Sequence, residues 1–183
     1  ILRQKQPTAA VRMICGDGFH AIEDEFWSKS GGRKSEYVAA IVRVLSNYRK
    51  WWNHSPFRHA QEVREGALPG DFSTTFEVDG FRIGVAGLNS TFRQLTGGDF
   101  HRRLLMDPRQ LMEACVDSGE WARNHDACIL LRHQGPGWLR EGCETHQYNL
   151  HIYPAGRFAV HLFGHNHETD LRSIALGGAE HRL

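Results

Sequence analysis

Apolar positions recur along this chain with two periods, and each period predicts one kind of element. From Glu36 to Trp52, the residues Tyr37, Val38, Ile41, Val42, Leu45, Tyr48 and Trp52 follow the three-to-four spacing of one helix face. Ser35 precedes them and suits an N-cap, because its hydroxyl can accept from an open N–H of the first turn. The spacing predicts a single amphipathic helix over Glu36 to Trp52. Asp107 and Pro108 predict a second helix start, with Leu111, Met112 and Cys115 on its core side and a stop around Gly119.

Strand signals fall elsewhere. Phe72 to Val78 and Phe81 to Ala86 flank Asp79-Gly80, a dipeptide that tolerates the left-handed backbone of a tight hairpin turn. Ala127 to Leu131 and Phe158 to Phe163 are apolar runs of strand length, the second broken only by His161. Residues 91–106, with Thr96, Gly97, Gly98 and Asp99, read as a long loop too polar for the core and available to a substrate or simply to solvent. Gly16 to His20 read as a glycine turn in which Asp17 bonds its own backbone.

Composition narrows the class. With 183 residues, 40% of them hydrophobic, the chain can bury one core, and no linker or repeat divides it. A net charge of +1 gives no overall nucleic-acid footprint. No apolar stretch approaches the roughly 20 residues that span a bilayer, and no signal peptide is evident, so a cytoplasmic location without membrane partners is expected. Cys15, Cys115, Cys128 and Cys143 are widely spaced and form no Cys-x-x-Cys pair, which favours reduced thiols.

The chemistry concentrates at two strand ends. Gly164 lets the chain turn after Phe163, and His165 and His167, two residues apart, can project to the same side of an extended segment. Imidazole suits Zn, Mn and Fe, although an isolated His-x-His is often just a solvated turn. The apolar run Ala127 to Leu131 also ends in a histidine loop, Arg132 to Leu139, with His133 at its start. In an open α/β sheet, ligands gather at the carboxyl ends of strands, so these histidines can share one site.

Together, His133 to Pro136 and Gly164 to His167 resemble the last two motifs of the calcineurin-like metallophosphoesterases. Pro69 to Phe72, Gly84 to Ser90, Asp107 to Leu111, Trp138-Leu139 and His161 to Glu168 are similar to a bacterial subgroup, often the amino-terminal part of larger multidomain proteins. The resemblance covers residues 35–183 well and 1–34 poorly. It implies one partial domain over residues 1–183, forming part of a two-sheet αββα sandwich, mainly the second sheet with its flanking helices. Fused regulatory domains in the whole protein are a further implication.

The resemblance also implies a ligand set. His133 and His165 would bind the second of two divalent ions (Mn, Fe or Zn), and His167 the first. The family's Asp-x-His, Gly-Asp and Gly-Asn-His-Asp/Glu motifs have no convincing counterpart here, so those ligands and the catalytic histidine are expected upstream of Ile1. The expected reaction is hydrolysis of a phosphomonoester or phosphodiester, with this stretch alone nearly inactive. Gln134 and Gly135 replace a more usual His-Pro, which removes a second histidine from the loop. Arg132 would offer a phosphate contact only if it faced inward, and strand alternation turns it away from His133.

Other residues have plainer readings. Asn124-His125-Asp126 copies three letters of a missing motif but precedes a strand where the family's follows one. Asn53-His54 reads as a helix stop, Asn89 as a turn former, and His161 as a half-buried, hydrogen-bonded side chain. Glu168 and Asp170 could orient His167. Two alternative functions stand beside the phosphoesterase: a degenerate binding or regulatory module on the same fold, and a mononuclear zinc hydrolase using His133, His165 and His167.

Overall fold

The computed structural model describes residues 6–30, 32–60, 62–140 and 157–165. Helix α1 (Ala9–Cys15) begins at Thr8, whose side chain accepts from Val11 N–H, and a 3-10 turn over Asp17–Ala21 leads into α2 (Glu23–Trp27). A short ribbon of β1 (Lys29–Ser30) and β2 (Arg33–Lys34) precedes α3 (Glu36–Val44). Ser35 caps α3 by accepting from Val38 N–H, as its position predicts. The expected single helix to Trp52 is instead two: α3 ends at Leu45, and α4 (Ser46–His54) starts anew before α5 (Pro56–Ala60).

The remaining strands are β3 (Val63–Glu65), β4 (Phe72–Val78), β5 (Phe81–Gly87), β6 (Ala127–Arg132) and β7 (Val160–Phe163). They form a mixed sheet in the order β3-β4-β5-β6-β7. The first three strands pair antiparallel, whereas β5, β6 and β7 run parallel. The protein is thus α/β, with a five-stranded mixed sheet flanked by helices. The β4–β5 hairpin turns at Asp79 (φ 51°) and Gly80 (φ 83°), the left-handed pair that Asp-Gly favours. Strand β7 starts at Val160 rather than Phe158, and β5 runs one residue beyond the expected Ala86.

One face of the sheet is covered by α6 (Pro108–Cys115) and α7 (Ser118–Arg123). Ser73 Oγ donates to Ala114 O at 2.6 Å, and Cys128 Sγ to Ala122 O at 3.8 Å. Asp107 and Gln110 complete a capping box at the start of α6, as Asp107-Pro108 predicts. The helix stops at Cys115 rather than near Gly119, because Val116 takes a left-handed φ of 62° and Asp117 caps α7.

The loop before α6 corrects a second expectation. Residues 91–106 are not merely polar surface: Phe92, Phe100, Leu104, Leu105 and Met106 are buried in the core with Ile14, Phe19, Phe26, Ile41 and Leu130. Phe92 lies between Phe19, Phe26 and Trp27, with ring centroids 6.0, 5.5 and 5.9 Å away. Arg93 anchors the same loop, donating to Ile14 O (3.0 Å), Gly16 O (2.7 Å) and Arg103 O (2.7 Å). The expected glycine turn is a 3-10 turn, and the Asp17 carboxylate pairs with Arg103 at 2.6 Å rather than with its own backbone. Among the described residues, no helix is long and apolar enough to cross a membrane.

The second face of the sheet is apolar and partly open. Register places Phe76 beside Ile83, Val85 beside Ile129 and Val160, and Leu131 beside Leu162 on that face. Val160 is 42% exposed and Leu162 is 51% exposed. Such a face has the character of a surface meant to be covered.

Candidate functional site

Parallel pairing sets where the histidine loops meet. Leu131 pairs with Leu162 and Arg132 with Phe163, so β6 and β7 end side by side. Gly164 N–H then donates to His133 O at 3.0 Å, carrying the ladder one step into both loops. His165 follows with a φ of 82°, a left-handed backbone uncommon for a residue with a side chain. That turn brings His165 Nδ1 to 3.0 Å from His133 Nε2. Two of the three histidines singled out by the sequence are therefore neighbours; His167 lies outside the described residues, as do Glu168, Asp170 and Cys143.

The surroundings hold the His165 ring and the loop that carries His133. Trp138 packs edge-on against His165, with centroids 4.2 Å apart, and the His101 ring stands 5.2 Å beyond Trp138. Neither contact was visible in the sequence, because His101 comes from the distant 91–106 loop. Behind His133, Ser90 Oγ donates to Gln134 Oε1 at 2.5 Å, and Gln134 Nε2 donates to Gln94 Oε1 at 2.8 Å. Gln134 is fully buried and serves to fix the loop. A Cβ on Gly135 would stand 2.8 Å from the Phe163 ring, which makes glycine necessary for that close approach.

Arg132 points to the opposite side from His133, as strand alternation requires. It is buried, donates to Met106 Sδ at 3.2 Å and lies 5.9 Å from the Phe163 ring centroid. It is thus placed in the core side of the sheet. His161 shares that side, and burial, reinforced by the Arg132 cation, lowers its pKa to about 3. A neutral, half-buried imidazole agrees with the plainer reading of His161.

Asp71 is also buried at this end of the sheet. It accepts from Leu68 N–H (2.9 Å), Asn89 N–H (2.7 Å) and Gln110 Nε2 (2.9 Å), tying the loop before β4 to the end of β5 and to α6. Burial pushes its carboxyl up to about 7, against the downward pull of these donors. Asn89 is a turn former, accepting from Thr91 N–H at 2.8 Å and donating to Pro69 O at 2.8 Å.

The decoy motifs have structural employment. His125 is within 2.8 Å of Thr75 Oγ1 and 2.6 Å of Trp121 O, at the start of β6 and thus at the far end from His133. His54 closes α4 through a 2.7 Å bond to Lys50 O. Cys15, Cys115 and Cys128 are free and buried, and burial pushes the last two thiols up to about 12 and about 11. Among the described residues, no group of three or more His, Cys, Asp or Glu is placed to hold a metal ion.

Compared with known proteins, the chain matches no family model, no curated protein and no solved structure.

Proposed function

We propose that this protein is a metal-dependent hydrolase of phosphomonoesters or phosphodiesters, with His133, His165 and His167 among the ligands of a dinuclear centre. The observation that carries this reading is the approach of His133 Nε2 to His165 Nδ1, 3.0 Å apart, at the carboxyl ends of adjacent parallel strands. Metal–imidazole bonds are about 2.0–2.1 Å for zinc, so nitrogens this close can reach one ion. The left-handed backbone at His165 adds weight, since strained residues persist where the surroundings hold them for a purpose.

The chain's own residues divide the work. His133 and His165 offer ring nitrogens, Trp138 holds the plane of His165, and the Ser90–Gln134–Gln94 chain fixes the loop that carries His133. When bound, two divalent ions would make a water nucleophilic at neutral pH and neutralise charge on the phosphate. Support for the αββα sandwich comes from the open apolar face of the sheet, which a second sheet would cover. A reducing, cytoplasmic setting suits the buried free thiols.

Elemental analysis after purification with Mn or Zn tests the reading, for a form of the protein that extends upstream of Ile1 and for its His165→Ala/His167→Ala variant, alongside hydrolysis of chromogenic aryl mono- and diesters. Two ions per chain that drop to one or none in the variant support a dinuclear phosphoesterase. One tightly held ion would favour the mononuclear zinc hydrolase instead. No bound metal would overturn both in favour of a binding module.

A further inference from the structure

The segment between Tyr37 and Gln61 contains no acidic residue, yet it carries Arg43, Arg49, Lys50 and Arg58 among Tyr48, Trp51, Trp52 and Phe57. In a chain of net charge +1, that is a local concentration of cations and rings which overall composition conceals. The structure turns it into a surface. Trp51 is 59% exposed and Phe57 is 72% exposed. Tyr48, Trp51, Trp52 and Phe72 form a ladder with successive centroids 5.7, 6.2 and 5.8 Å apart.

The ladder leads into a cleft of about 240 Å³ lined by Lys34, Tyr48, Arg49, Trp52, Glu65 and Phe72, among others. Lys34, on the cleft lining, donates to the carbonyls of Gly66 and Ala67, which leaves one ammonium proton for a ligand. Of the lining carboxylates, Glu65 is engaged by Arg58 at 3.5 Å, and Asp71 is buried beneath its three donors. Phe72 lies over Gly87, where a Cβ would meet its ring at 2.2 Å. Gly87 pairs with Leu131, two residues before His133, so the cleft opens at the same end of the sheet as the histidine pair. Two strand spacings, about 10 Å, separate β4 from β6.

We propose that α4, α5 and this cleft bind single-stranded nucleic acid, with bases on the aromatic faces and phosphates on Arg49, Lys50 and Lys34. Stacking platforms interleaved with cations are what an unpaired strand requires, because every base has a ring face and every linkage a charge. A membrane surface fits less well, since Lys34 and Trp52 line a recess that a bilayer does not enter. That this strand is the substrate rests on the phosphoesterase reading above. The binding itself does not.

The test separates the two. Fluorescence anisotropy with a labelled oligothymidylate, in EDTA, reads binding without any metal. Trp51→Ala and Phe57→Ala should each weaken it about fivefold or more. Arg49→Glu/Lys50→Glu should weaken it further, and Arg49→Ala/Lys50→Ala should reduce the salt slope by roughly 1.4 if each cation meets one phosphate. All four side chains are on the surface, and circular dichroism confirms that each variant is folded. Absence of binding, binding unchanged in these variants, or binding only to phosphatidylserine vesicles overturns the proposal. Strand binding in EDTA without metal-dependent hydrolysis would uphold it and count against the phosphoesterase reading instead.

Discussion

Replacing Phe92 by alanine tests the way the amino-terminal helices are joined to the sheet. The Phe92 ring is fully buried, between Phe19, Phe26 and Trp27 at 5.5 to 6.0 Å. An aromatic side chain buries about 150 Å² or more, which at roughly 25 cal/mol per Å² corresponds to about 4 kcal/mol. Edge-on ring pairs add about 0.5 to 1.5 kcal/mol each, whereas relaxation of the surrounding loop recovers part of the loss. The expected cost is about 3–5 kcal/mol, a large share of the roughly 5–15 kcal/mol that holds a domain folded. Urea denaturation followed by circular dichroism and tryptophan fluorescence reads it as a fall in midpoint at constant slope. His101→Ala, on the same loop but exposed, should change stability by less than about 0.5 kcal/mol. A loss under about 1 kcal/mol at Phe92, equal to that at His101, would refute the packing of residues 91–106 into the core.

Three further outcomes follow from buried groups. Arg93→Leu strands the carbonyls of Ile14, Gly16 and Arg103 and should cost about 2–5 kcal/mol by the same denaturation assay. Because the folded Asp71 carboxyl titrates near 7 against 3.8 unfolded, the folded state binds the extra proton between those values. Its contribution is therefore full below the unfolded value and is lost as pH rises to about 7, by up to about 1.4 kcal/mol per pH unit. Asp71→Asn should remove that slope, measured from denaturation midpoints at several pH values. Gly84→Ala would place a Cβ 2.8 Å from the Trp121 ring and 3.0 Å from that of His125, and should cost about 1–3 kcal/mol, read as a fall in Tm.

Local chemistry accounts for what was legible in the sequence. Ser35, the Asp107-Pro108 pair and the Asp79-Gly80 turn each act on backbone within a few residues, and each does what its position predicts. The β6 and β7 runs, with a histidine loop after each, were equally readable. The break at Leu45 was not, because the apolar stripe continues through it from Ile41 to Tyr48 and Trp52. Nor was the burial of Phe92, Phe100 and Leu104, whose irregular spacing follows no helix or strand period and which share a core with residues far earlier in the chain, such as Phe19 and Phe26. Asp71, Asn89 and Gln110 likewise converge from three separate segments. At the site, the meeting of His133 and His165 could be anticipated from strand ends, but Trp138 and His101 beside them could not.

Whether His133 and His165 share a metal ion is read by titration with Mn(II) followed by electron paramagnetic resonance. Free Mn(II) gives the signal, so its loss counts bound ions per chain. The protein should take up Mn(II), and the His133→Ala and His165→Ala variants, folded by circular dichroism, should lose uptake. Full signal at every protein concentration, or uptake undiminished in both variants, would contradict it.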